Sequence, residues 1–115
     1  MKIAIVGSRG ITVNDLEEYM PKDVSEIVSG GAKGVDTSAK EYALRNHIKL
    51  TEILPEYGKY GRAAPLKRNS QIIADVDMVL IFWDGKSKGT KNVIDKCRNS
   101  GIEHKIYIFQ SKKPV

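Results

Sequence analysis

Three glycine-bearing turns carry the residue types in this chain that can do chemistry. They are Gly7-Ser8-Arg9-Gly10, Ser29-Gly30-Gly31-Ala32-Lys33-Gly34-Val35-Asp36 and Asp84-Gly85-Lys86-Ser87-Lys88-Gly89-Thr90. Glycine is needed where the backbone takes positive φ, or where a ligand approaches closer than a Cβ allows. When such a turn opens a helix, free backbone N–H groups and the positive end of the helix dipole point the same way, which suits a phosphate. In the second turn the apolar stretch Glu26-Ile27-Val28 runs in, and the helical pattern Val35, Ser38, Ala39, Tyr42, Ala43 runs out. Ser29, Gly30, Gly31 and Gly34 would shape the cradle, and Lys33 adds a mobile positive charge. Gly7, Ser8 and Arg9 follow an apolar run directly, a place from which arginine can clamp two phosphate oxygens. Gly85, Ser87, Gly89 and Thr90 repeat the arrangement at another helix start.

Carboxylates near these turns are few. Asp36 falls in a first helical turn, where it caps the helix, binds a ribose hydroxyl or acts as a base. Asp84 ends a strand, where it accepts ribose hydroxyls, works as a catalytic acid or simply forms the turn before Gly85. These two are the catalytic candidates. Arg68 and Asn69 lie early in a helix, and Asn69 either orients a base or ribose or satisfies a neighbouring loop. Arg9 is a phosphate clamp or an ordinary exposed arginine. Gly30-Gly31 is a ligand loop or a tight strand-to-helix connection. Tyr57 and Tyr60 stack on a base or pack as lids. His47 and His104 have no serine or cysteine partner at a suggestive spacing. Cys97 falls on an apolar helix face and reads as core.

Several functions are excluded by pattern. No Gly-x-x-x-x-Gly-Lys-Ser/Thr occurs, which argues against a P-loop kinase or ATPase. No Gly-x-Gly-x-x-Gly follows the first strand, which disfavours an NAD dehydrogenase. No His, Cys and carboxylate cluster suggests a metal. With a single cysteine there is no internal disulfide, and the cytoplasm is the expected setting. The start, Met-Lys-Ile-Ala-Ile-Val-Gly, lacks the long apolar region of a signal peptide, and no run approaches the roughly 18 residues of a membrane span. The net charge of +5 is uneven: residues 1–84 carry −1 and residues 85–115 carry +6. That asymmetry favours phosphate-bearing partners or describes a solvated helix face. Lys86, Lys88 and Lys91 are open to either reading, whereas Lys112 and Lys113 read as a solvated tail.

The elements that must position these turns alternate. Lys2-Ile3-Ala4-Ile5-Val6 and Met78-Val79-Leu80-Ile81-Phe82-Trp83 are continuous apolar runs, the mark of strands buried on both faces. Between them, a short helix capped by Asn14 or Thr12 and ended by Pro21 is expected. The second strand and the longest helix, about Val35 to Arg45 with Asn46 as a left-handed cap, come next. A third strand spans Ile48 to Leu54, Glu56 to Arg62 is a loop, and Pro65 starts a helix bearing Leu66, Asn69, Ile72, Ile73 and Val76. A last helix carries Thr90, Val93, Ile94 and Cys97 before Gly101, and Lys105 to Phe109 is the final strand. Five strands alternating with four helices imply one α/β domain over residues 1–115, a three-layer fold with a parallel sheet and right-handed crossovers. In such sheets ligands sit beyond the carboxyl ends of the strands, where the order reverses. All three turns lie at that edge.

Gly7-Ser8-Arg9, the central stretch with Ala39, Arg68-Asn69, and Phe82-Trp83-Asp84-Gly85 with Ser87-Lys88-Gly89-Thr90 resemble a small family of the SLOG superfamily, the YspA-type domain of unknown function related to YpsA. The central stretch through Ala43-Leu44 is also similar to the glycine loop of the DNA-processing protein DprA. A more distant similarity is to the Lonely Guy phosphoribohydrolases, whose loop has a proline where this chain has Ser29, and glutamates where Asp36 stands as the one nearby acid. The resemblance implies a Rossmann-like fold with strand order 3-2-1-4-5. It also implies a nucleotide or nucleotide-derived ligand held by Gly7, Ser8, Arg9, Ser29, Gly30, Gly31, Lys33, Gly34 and Asp36.

Three readings result. The leading one is a module that binds or senses a nucleotide or nucleotide derivative. The second is a hydrolase of the phosphoribohydrolase type, with Asp84 or Asp36 at the sugar. The third is a DprA-like nucleic-acid-binding protein, supported by the basic C-terminal third and the Tyr57–Arg62 segment. No firm cofactor, no metal and no membrane partner are expected, and a homo-oligomer is compatible with all three.

Overall fold

A computed structural model of the chain describes residues 1–109. Lys112 and Lys113 therefore lie outside the described residues. Five strands, β1 (Lys2–Gly7), β2 (Glu26–Ser29), β3 (Lys49–Glu52), β4 (Met78–Trp83) and β5 (His104–Ile108), form one parallel sheet in the order β3-β2-β1-β4-β5. The helices are α1 (Val35–Arg45), α2 (Tyr57–Tyr60), α3 (Ala64–Ile73) and α4 (Lys88–Ser100). This is the expected α/β Rossmann-like arrangement. The order reverses between β1 and β4, which pair from Ile3 with Met78 through Gly7 with Phe82.

Alternation along the two central strands explains the three layers. Ile3 and Ile5 of β1 and Met78, Leu80 and Phe82 of β4 point to the face covered by Val35, Ala39 and Ala43 of α1. Ala4, Val6, Val79 and Ile81 point to the other face, against Ile72 and Ile73 of α3 and Val93, Ile94 and Cys97 of α4. A strand covered on both faces must be apolar at every position, which is why these two runs are continuous. Each buried Ile, Val, Leu or Phe contributes roughly 1.5–3 kcal/mol of transfer free energy, so the two cores hold the sheet edge in place.

The first crossover differs from the sequence expectation. It holds only a 3-10 turn, Leu16–Glu18, and no side chain caps it. Ile11, Val13 and Leu16 are buried, and Val13 N–H donates to Ser38 Oγ at 3.0 Å, which ties the segment to α1. Residues 57–63, expected as a loop, form the short helix α2 and a 3-10 turn, because Glu56 O accepts from both Lys59 N and Tyr60 N. The longest helix is α4, with 13 residues against 11 in α1. Asn46 is not left-handed (φ −102°); its Nδ2 donates to Tyr42 O at 2.9 Å, and the positive φ falls on His47 at 54°. β3 is shorter than expected, and β5 starts and ends one residue earlier.

Candidate functional site

Where β1 and β4 end side by side, a cleft of about 500 Å³ opens on the face carrying α3 and α4. Its floor is Val6, Ile72 and Val93, and its rim is built from the turns after β1, β2 and β4. The turn after β1 is held shut against its neighbours. Ser8 N donates to Phe82 O at 3.0 Å, and Ser8 Oγ accepts from Asp84 N at 3.1 Å. Gly7 leaves no room for a side chain, since a Cβ there would strike Phe82 O and come within 2.5 Å of Val35 Cγ2.

The second turn meets the first back to back. Gly34 precedes α1 at φ 74°, ψ −120°, and a Cβ on it would collide with the Arg9 and Ser8 carbonyls. Val35 N points at Ser8 O (3.5 Å). The amide at the start of α1 therefore abuts protein backbone, while Ala32 and Asp36 beside it, Pro65 and Leu66 at the start of α3, and Gly89 and Thr90 at the start of α4 all reach the cleft. A Cβ on Gly31 (φ 69°) would come within 2.6 Å of Leu54 Cδ2 and 2.9 Å of Glu52 Oε2, on the β3 side. The positive φ and these side chains are by themselves sufficient reason for a glycine here.

Arg68 crosses from α3 to this turn. Its Nη1 donates to Gly30 O at 2.9 Å and its Nε to Asn69 Oδ1 at 3.2 Å. Asn69, 5% exposed, donates from Nδ2 to Gly89 O at 3.3 Å and Asn92 Oδ1 at 3.1 Å. Asn69 thus has both ends of its amide occupied and links Arg68 to the start of α4. Burial lowers the Arg68 pKa from its ordinary value, while Asp36 opposes that shift. Asp36, 7% exposed, accepts from Ala32 N at 3.0 Å. Burial raises its pKa above the ordinary carboxylate value, against the pull of the Ala32 amide and Arg68.

Asp84 is committed to its own turn. Oδ1 accepts from Lys86 N at 2.8 Å and Ser87 N at 2.7 Å, and Oδ2 from Ser87 Oγ at 2.8 Å. These bonds, the two amides foremost, pull its pKa down to about 2. Gly85 at φ 81° makes the turn that brings the amides round. Ser87 O in turn accepts from Trp83 Nε1 at 3.1 Å, fixing the loop to β4.

Of the residues singled out in sequence, Gly7, Ser8, Arg9, Gly30, Asp36, Arg68, Asn69, Asp84, Ser87, Gly89 and Thr90 line the cleft together. Ser29, Gly31, Lys33, Gly34 and Gly85 do not. Ser29 is wholly buried beneath the turn, and its hydroxyl has no hydrogen-bond partner among the described residues. Lys33 is exposed. Tyr57 and Tyr60 stay outside the lining; Tyr57 is 59% exposed, and Lys59 Nζ lies 5.2 Å from the Tyr60 ring centre. Lys86 and Lys88 are exposed, while Lys91 pairs with Asp95 at 3.2 Å. His104 Nδ1 lies 2.7 Å from Ile102 O, away from the cleft, and Cys97 is buried, its thiol pKa raised by burial. Sequence reasoning missed Pro65, Leu66 and Ile72 as walls. The signal was there: Pro65, Arg68, Asn69 and Ile72 recur at three- and four-residue steps on one helix face.

The DNA recombination-mediator protein A family profile matches residues 1–81, which include the Ser8–Arg9 turn, the central glycine turn and Arg68–Asn69. The chain belongs to this family. Asp84 and all of α4 lie beyond the segment shared with the recombination-mediator family. Neither a curated protein nor a solved structure matches the chain. Among the described residues, no three His, Cys, Asp or Glu side chains are grouped so as to hold a metal ion, and no helix is long and apolar enough to cross a membrane.

Proposed function

We propose that the cleft binds a phosphate-bearing nucleotide or nucleotide derivative and holds it without turning it over. One observation carries this reading. Arg9, Arg68, Ser8 and the start of α4 surround a single cleft, while both carboxylates in its wall are hydrogen-bonded to backbone amides. Hydrolysing a glycosidic bond needs a carboxylate against the sugar carbon and a second group to activate water or protonate the base. With Asp84 accepting three hydrogen bonds, the cleft is better suited to holding than to cutting. The finer likeness to YspA-type domains belongs to the same proposal, since their Gly-Ser-Arg and Ser-Gly-Gly turns correspond to the two turns that meet here.

The test is a thermal-shift and calorimetry panel of nucleosides, nucleotides and dinucleotides, with released base measured alongside. A ligand at 100 times its Kd adds about 2.7 kcal/mol, a readily visible rise in Tm. Binding without released base supports the proposal. Release that disappears in Asp84→Asn and survives in a surface control replaces it with the hydrolase reading.

A second reading, nucleic-acid binding, is favoured by the family to which the chain belongs. Lys33, Lys86 and Lys88 are exposed on the turns that frame the cleft and could follow a phosphate backbone. Affinity for a single-stranded oligonucleotide that falls steeply and linearly in log salt supports this reading; a shallow slope with tight mononucleotide binding supports the first.

A further inference from the structure

We propose that the cleft selects ligands carrying a single phosphate, and that Asp84, with Asp36, excludes polyphosphates. This rests on the nucleotide-binding reading above and adds the ligand class. Two arginines, Arg9 and Arg68, and two aspartates, Asp36 and Asp84, line the cleft, so its formal side-chain charge is zero. Sites that cradle chains of phosphates must offset each added negative charge, and this lining meets each one with a carboxylate as well as a cation.

The cations are also unequal in reach. Arg68 is tethered at Nη1 to Gly30 O and at Nε to Asn69 Oδ1, and it is half-buried, so it serves one fixed point. Arg9 is exposed and is the mobile cation of the pair. The start of α4 adds the partial positive charge of a helix dipole, but Asp84 already occupies the amides of Lys86 and Ser87 just before it. The start of α3 also reaches the cleft, but Pro65 there has no N–H to offer, so one fixed guanidinium, one mobile guanidinium and the partly neutralised start of α4 remain, a set that suits one phosphate group. Lys33, Lys86 and Lys88 are exposed and outside the lining, where solvent and salt screen them. The cleft's volume of about 500 Å³ is that of a site for a small organic ligand. Discrimination against a wrong ligand by a placed repulsive charge is a recognised route to specificity.

A single phosphate can come from a free mononucleotide or from the phosphorylated 5′ end of a strand. Calorimetry in metal-free buffer would use the mono-, di- and triphosphates of adenosine, guanosine, cytidine and uridine, and a short oligonucleotide with and without its 5′ phosphate. The expected result is that the preferred base binds at least tenfold more tightly as monophosphate than as triphosphate, and that this ratio narrows as salt screens the repulsion. Asp84→Asn should raise triphosphate affinity relative to monophosphate affinity, and Asp36→Asn should do the same. Should either variant fail to fold, the wild-type ranking and its salt dependence decide. Strand binding that is tighter than mononucleotide binding and needs the 5′ phosphate assigns the phosphate to a strand end, and tighter mononucleotide binding assigns it to a free nucleotide; both support the single-phosphate rule, whereas tighter strand binding that is indifferent to the 5′ phosphate overturns it. Triphosphate binding equal to or tighter than monophosphate binding overturns the inference and leaves the nucleotide-binding reading standing. Binding of no nucleotide or strand overturns both.

Discussion

Replacing Asp84 by asparagine asks whether this carboxylate is a structural clamp. The wild-type side chain accepts from two amides and one hydroxyl, and its pKa falls from the ordinary 3.8 to about 2. A fall of that size corresponds to roughly 2 kcal/mol of preferential stabilisation of the charged form. Because the carboxylate is partly open to solvent, screening reduces this to about 1–2 kcal/mol. Asparagine keeps a carbonyl oxygen for Lys86 N and Ser87 N but loses the charge and places an NH₂ toward Ser87 Oγ. The variant should therefore be about 1–2 kcal/mol less stable at pH 7, a fall in Tm of roughly 4–8 °C for a domain of this size. Acid changes the comparison. A group whose folded pKa lies below its unfolded value stabilises fully above about pH 5, and the contribution is lost as pH falls toward 2. Urea unfolding of both proteins at pH 7, 5 and 3 should show the gap narrowing as the wild type loses what the variant never had. A gap at pH 7 below about 0.3 kcal/mol, or one that stays constant into acid, would refute the clamp and free Asp84 for another role.

Three further substitutions probe the turns. Gly30→Ala pushes a Cβ against the Arg68 guanidinium, with Cζ at 3.0 Å, so Arg68 must leave Gly30 O. Calorimetry should show phosphate-ligand affinity falling by about 1.5–3 kcal/mol, with the fold retained. Gly31→Val acts in the opposite sense: a β-branched residue at φ 69°, against Leu54 and Glu52, should cost about 2 kcal/mol of stability in urea unfolding and leave the affinity of the folded fraction nearly unchanged. Arg9→Ala should weaken phosphate-bearing ligands by about 1.5–3 kcal/mol while sparing the matching nucleosides. Equal losses for nucleotide and nucleoside would move Arg9 away from the phosphate.

The sheet and the edge that bears the cleft were legible because their physical causes are local. Continuous apolar runs at residues 2–6 and 78–83 can only be strands covered on both faces, and glycines after such strands must lie at the carboxyl edge. What each glycine is for was not legible. Positive φ, contact with a neighbouring backbone and approach of a ligand all call for the same residue, and only the fold separates Gly31 and Gly34 from Gly30. Asp84 and Asn69 show the same difficulty for polar groups. Both look free in sequence, and both are occupied once the turn after β4 and the start of α4 come round to meet them. In place of the expected first helix stands a 3-10 turn in a segment anchored by the buried Ile11, Val13 and Leu16 and by the bond from Val13 N to Ser38 Oγ, a contact with α1 that the acidic residues around them do not reveal.

Whether this cleft receives the phosphate is decided by mapping amide chemical shifts as a 5′-nucleoside monophosphate is titrated in. Saturable shifts are expected at Ser8, Arg9, Gly30, Ala32, Ser87, Gly89 and Thr90, which line the cleft, and little change at Ser70, Lys96 and Ser100 beside the distant groove between the ends of α3 and α4. Shifts confined to that groove, or none at all at saturating nucleotide, would contradict a phosphate site in this cleft.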